Sequence, residues 1–123
     1  MEENLVYQLN PNPAQKLPGI EGLAEIKAAL SAWTNYMYAR QEYDEGFALD
    51  MPKKPQVKVG DLEQKYPRAA AYLRAEAWKK SPDFVQSRLG EQACRKIAAG
   101  EDYTQALDEM ERGWDAFQAA QEG

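Results

Sequence analysis

Cys94 is the single thiol of a 123-residue chain that contains no histidine. Without an imidazole there is no ordinary general base near neutral pH, no His metal ligand, and no Ser–His or Cys–His nucleophile. One cysteine supplies too few soft ligands for a zinc finger or a zinc deaminase site. Carboxylate chemistry is what remains. Its densest group is Asp108, Glu109, Glu111 and Asp115, which lacks the spacing of a calcium loop and reads as a solvated face. No pair of acids lies in an apolar stretch that would raise one pKa for general-acid work. The expectation is a chain with no catalytic residue, no metal site and no cofactor, and not an enzyme. Cys94 lies beside Arg95 and off the apolar stripe of its segment. It is expected to be an inert, partly buried thiol rather than a reactive one.

The elements that would position any working residue follow from composition and period. Hydrophobic residues make up 44% and charged residues 28%, a balance that favours a folded core over disorder. A lone thiol excludes an intramolecular disulfide and fits a reducing compartment. No apolar run approaches the ~18 residues of a membrane span, and "MEENLVYQLN" is acidic where a signal peptide is basic. A cytoplasmic location with no membrane partner is expected.

Residues 1–19 contain Pro11, Pro13, Pro18 and Gly19 and are assigned to an irregular arm, with a short extended piece at Leu5–Leu9. A single helical domain over 20–123 follows. Leu23, Ile26, Leu30, Trp33 and Met37 recur at three- and four-residue spacing, and Ala29, Tyr36 and Tyr43 form a second line every seven. This helix is expected to stop near Gly46. The connection 46–60, "GFALDMPKKPQVKVG", is long for a compact domain and is expected to wrap a groove with Phe47, Leu49 and Met51 pinned underneath.

Asp61 can cap a short turn, and Pro67 opens the next helix. Its apolar residues fall into two strips: Leu62, Tyr66, Ala69, Ala70, Leu73 and Ala77 on one, Ala71, Ala75 and Trp78 on the other. Two strips on one helix predict a central position. Ser81 is the expected N-cap of the following helix, with Pro82 at its first position. Val85, Leu89, Ala93 and Ile97 form its stripe, and Gly100 closes it. Asp102 caps the last helix, with Gln105 placed for a capping box. Tyr103, Leu107, Met110, Trp114 and Phe117 make the strongest stripe in the chain. The prediction is all-α: a compact bundle of about four helices.

Charge is segregated along this order. Residues 61–100 hold eight basic against five acidic residues, while 101–123 hold Arg112 against seven acids, within a net charge of −5. The segment "KYPRAAAYLRAEAWKKSP" carries Lys65, Arg68, Lys79 and Lys80, and the next helix adds Arg88, Arg95 and Lys96. These seven are the candidate nucleic-acid contacts. The interleaved aromatics fall on more than one face and form no stacking platform beside them, so the segment reads mainly as a core helix with a charged rim. The last helix offers a different site. Asp108, Glu111 and Asp115 beside Trp114 and Phe117 combine aromatic anchors with acid, a pattern suited to a basic groove on a protein partner.

"YPRAAAYLRAEAW" followed by "GEDYTQALDEMERGWDAF" resembles small uncharacterised helical proteins of phages and integrative elements in gut Firmicutes, which carry a YPRAAAYL-x-AE segment and then GEDY…ME…W. The likeness spans about residues 58–118. It implies a mobile-element origin and carries over no functional residue. Together with the acidic balance it leads to a non-enzymatic protein-binding module, expected to inhibit a host defence protein by occupying its nucleic-acid-binding surface, as anti-CRISPR proteins do. Two alternatives stand beside it: a nucleic-acid-associated accessory protein using the basic 65–96 segment, and a self-associating structural protein in which the terminal stripe seals a homodimer.

Overall fold

The computed structural model describes residues 20–122. The arm assigned to 1–19 lies outside them. All regular structure among the described residues is helical: α1 (Leu23–Asp44), α2 (Val59–Lys65), α3 (Pro67–Lys79), α4 (Phe84–Ala98) and α5 (Tyr103–Glu122). The all-α prediction holds, with the turn expected around Asp61 forming a fifth, short helix.

α3 sits at the centre, packed on α4 and α5 and touching α1 and α2, as its two apolar strips require. Ala69, Ala71 and Ala75 are buried, and with Ala93 of α4 they keep the contact surfaces small. Leu23, Ile26 and Ile97 are the large side chains sealed at the middle of the core. Gly90 marks the tightest crossing. A Cβ there would lie 2.6 Å from the Ala75 carbonyl oxygen and 2.7 Å from the Trp78 Cβ, so only glycine lets α4 approach α3 this closely. α1 and α4 both end on residues followed by glycine in the left-handed region, Gly46 (φ 87°) and Gly100 (φ 92°), as read from the sequence.

Four expectations change. The N-cap of α4 is Asp83, whose carboxylate accepts from the Gln86 amide at 2.9 Å. Ser81 instead accepts from the Asp83 amide at 3.1 Å, so it orders the turn that separates α3 from α4. Asp102 does cap α5, accepting from the amides of Thr104 and Gln105, but the Gln105 side chain bonds Glu109. Third, Cys94 is buried, with its thiol 4.0 Å from the Tyr72 carbonyl. α4 is covered by α3 on one side and α5 on the other, so a residue off the main stripe still faces a helix.

The fourth change concerns the 46–60 connection. Phe47, Leu49 and Met51 are exposed, not pinned. The half-buried residues are Ala48, Pro52, Pro55, Val57 and Val59, and the Val57 carbonyl accepts from Trp33 Nε1 at 2.9 Å. The connection therefore returns alongside α1 as an extended strap.

Candidate binding surface

The acidic residues predicted on α5 are largely engaged within the chain. Glu111 pairs with Arg74 of α3, and Asp108 pairs with Arg112 one turn on at 2.9 Å. Asp115 is exposed and has no ion-pair partner among the described residues. Trp114 is half-buried, with its ring edge-on to Trp78 at 6.3 Å and stacked with Phe117 at 5.8 Å. These aromatics join α5 to α3 before they offer anything to a partner. Asp108, Glu111 and Asp115 do share one face of α5, as the spacing predicts.

The basic candidates are dispersed. Arg68 donates to the carbonyls of Ile97 and Glu101, each at 3.0 Å, and so caps the end of α4. Lys96 pairs with Glu109 across to α5, and Arg95 pairs with Glu91 at 2.9 Å. The hydrogen bond between Lys96 and Glu109 raises the pKa of the ammonium and lowers that of the carboxyl. Arg88 lies over the Phe84 ring at 5.6 Å, and Lys65 over Tyr66 at 5.2 Å. Lys79 and Lys80 are exposed at the end of α3. The seven do not converge on one groove.

Burial pushes the Cys94 thiol up to about 11, so it is protonated and not nucleophilic at neutral pH. Burial also raises the Tyr72 phenol. Among the described residues no three acidic or cysteine side chains gather as a metal site would need.

The surface that stands out was missed as a site. Past Ala29 no residue of α1 is buried. On its first stripe Leu30 and Met37 are left exposed, while Trp33 between them is half-buried and bonded to the strap through the Val57 carbonyl. Exposure reaches 66% at Met37 and 67% at Tyr38, then 81% at Phe47, 97% at Leu49 and 52% at Met51. The stripe begins at Leu30, which also walls an apolar groove of about 540 Å³ with Pro67, Ala70, Leu73, Tyr103 and Leu107.

No family model, curated protein or solved structure matches this chain.

The sequence did hold a signal for this surface. Residues 28–39, "AALSAWTNYMYA", contain no Asp, Glu, Lys or Arg, although they form an exposed helix. Depletion of charge with enrichment of aromatic residues and Met distinguishes interface centres from other surface. Among the described residues no helix is long and apolar enough to cross a membrane.

Proposed function

We propose that this chain is a non-enzymatic protein-binding module that docks through an arm made of the outer half of α1 and the strap. One observation carries the reading. An uncharged run of helix is exposed to solvent and continues into a tip bearing Phe47, Leu49 and Met51. Exposing such side chains together is costly for a chain that gains nothing by contact. The experiment is capture from a nuclease-treated bacterial lysate with the full chain and with a Met37→Lys, Leu49→Asp variant. A stoichiometric protein held by the parent and lost by the variant supports the arm. Equal capture by both, or none by either, removes it.

A narrower form supposes an inhibitor that occupies a nucleic-acid-binding surface of a host defence protein. The net charge of −5 and the resemblance to mobile-element proteins support it, since an acidic surface suits a basic nucleic-acid groove. Its own test is charge reversal at Asp108 and Asp115. Those positions leave the Glu111–Arg74 pair in place, so lost inhibition would not be lost folding. Unchanged binding would sink that assignment.

A further inference from the structure

We infer that the corner where α3 meets α4 is a second binding surface, and that its occupant is a single-stranded nucleic acid, with a base stacked on Phe84 and phosphates on Lys79, Lys80 and Arg88. The inference goes beyond the arm and does not depend on it.

Packing leaves one face of α4 uncovered. Gly90 abuts the Ala75 and Lys79 backbone of α3, while Leu89 meets Gly113 and Lys96 pairs with Glu109 on α5. Phe84, Arg88, Glu91 and Arg95 follow one another at three- and four-residue steps, so they line a third face turned from both neighbours. With Gln92 they wall a shallow groove of about 330 Å³. The Ser87 hydroxyl donates to the Lys79 carbonyl at 2.6 Å. That bond holds the end of α3, with exposed Lys79 and Lys80, against the first turns of α4.

Charge calls for an anion. Arg68, Arg74 and Lys96 are engaged with other elements of the chain, and Lys65 lies apart at the end of α2. Lys79, Lys80, Arg88 and Arg95 remain at the corner. Arg95 pairs with Glu91 at 2.9 Å, and the Asp83 carboxylate is taken up in capping α4. Lys79, Lys80 and Arg88 have no ion-pair partner among the described residues. Three uncompensated cations, held together on a chain of net charge −5, are complementary to a negative partner.

The ring selects nucleic acid among anions. Phe84 is 71% exposed, and the Arg88 guanidinium lies over it at 5.6 Å. An aromatic face set among cations takes a base by stacking and the neighbouring phosphates by charge. Tyr66, Tyr72 and Trp78 cannot serve in this way, because they are buried or half-buried. Phe84 supplies the ring that the basic segment itself lacks. Stacking needs an open base face, which a single strand offers and a duplex does not.

The test is fluorescence anisotropy of a labelled oligothymidylate of about 12 nucleotides, inside the usual range of single-strand site sizes, titrated with the full chain at several salt concentrations. Binding is expected in the micromolar range at low salt. Log affinity should fall against log salt with a slope of about −2, from roughly 0.7 per phosphate and three cations. Arg88→Gln should lower affinity several-fold and flatten that slope by about 0.7. Phe84→Leu should lower affinity about tenfold and leave the slope unchanged. Both side chains are exposed, so the helical signal should match the parent. The Met37→Lys, Leu49→Asp variant of the arm should bind the strand as the parent does. No binding at low salt overturns the inference, as does indifference to Phe84→Leu. Equal affinity for an oligoglutamate, with the same dependence on Arg88, would overturn it by giving the corner to an acidic peptide. Loss of the strand in the arm variant would overturn it by moving the site to the arm.

Discussion

Arg68 of α3 closes the end of α4: its Nη2 donates to the Ile97 carbonyl and to the Glu101 carbonyl, each at 3.0 Å. Carbonyls at a helix C-terminus lack intrahelical donors, and a cation there also meets the negative end of the helix dipole. A residue with the credentials of a phosphate contact is thus spent on folding. Arg68→Met keeps the aliphatic stem and removes both bonds, at an expected cost of about 1–2 kcal/mol and a fall in Tm of about 4–8 °C. Urea denaturation of the variant checks this. Parental stability retained by Arg68→Met would contradict it, because methionine offers neither carbonyl a donor.

Gly90 and Gly113 should respond very differently to the same added methyl. At Gly90 the new Cβ meets the backbone of α3, including the Lys79 amide and the Ala75 carbonyl, which cannot give way without separating the helices. Gly90→Ala should cost about 3 kcal/mol, at the upper end of ordinary overpacking. At Gly113 the Cβ meets Leu89 Cδ2 at 2.7 Å, the far end of a half-buried side chain that can rotate. The helix-propensity gain of about 1 kcal/mol then offsets the crowding, so Gly113→Ala should stay within about 0.5 kcal/mol of the parent. Parallel denaturation curves decide the pair.

Period and capping made most of the fold legible, because they are local. The α5 stripe from Tyr103 to Phe117, the Asp102 cap and the Gly100 stop depend on neighbours within a turn or two. Ser81 and Asp83 are both good caps two residues apart, and only the turn geometry selects Asp83. The engagement of the candidate site residues was hidden for a different reason. Arg68, Lys96 and Glu111 read as free surface charges because their partners lie 29, 13 and 37 residues away. Helix lengths explain the open stripe. α1 has 22 residues against 13 in α3 and 15 in α4, so it outreaches them by about two turns. Periodicity marks a face as apolar without saying how far its cover extends.

Cys94 ties pH to stability. Its folded pKa, raised by burial to about 11, stands above the ordinary value of 9.0. A raised folded pKa means the contribution is full below pH 9 and is lost as pH rises through about 11. Stability should therefore decline over that window in the parent and less so in Cys94→Ala, which keeps a small apolar group at the site. At neutral pH a thiol-specific reagent should react with the native protein far more slowly than with the urea-unfolded chain. Fast reaction of native protein at pH 7 would refute the buried placement.

Trp33 should control the arm. Its Nε1 bond to the Val57 carbonyl ties the extended return to α1, and the Trp33 ring meets Tyr36 edge-on at 5.8 Å. Few buried contacts hold the strap otherwise, since Phe47, Leu49 and Met51 all face solvent. Trp33→Phe keeps an aromatic ring against Tyr36 and deletes the donor, leaving a carbonyl that can turn to water. Global stability should fall by only about 0.5–1.5 kcal/mol, whereas the strap should open far more often, because local opening follows the contacts that hold the segment itself. Lys53 and Lys58 lie in the strap and neither is followed by proline, so limited trypsin digestion reads its opening directly. Cleavage at those lysines should speed up several-fold in Trp33→Phe while the α3–α5 body stays intact. If the arm is the docking surface, the same variant should weaken association without unfolding the chain. Faster cleavage with unaltered association would assign the contact to the α1 stripe alone and leave the strap as its support.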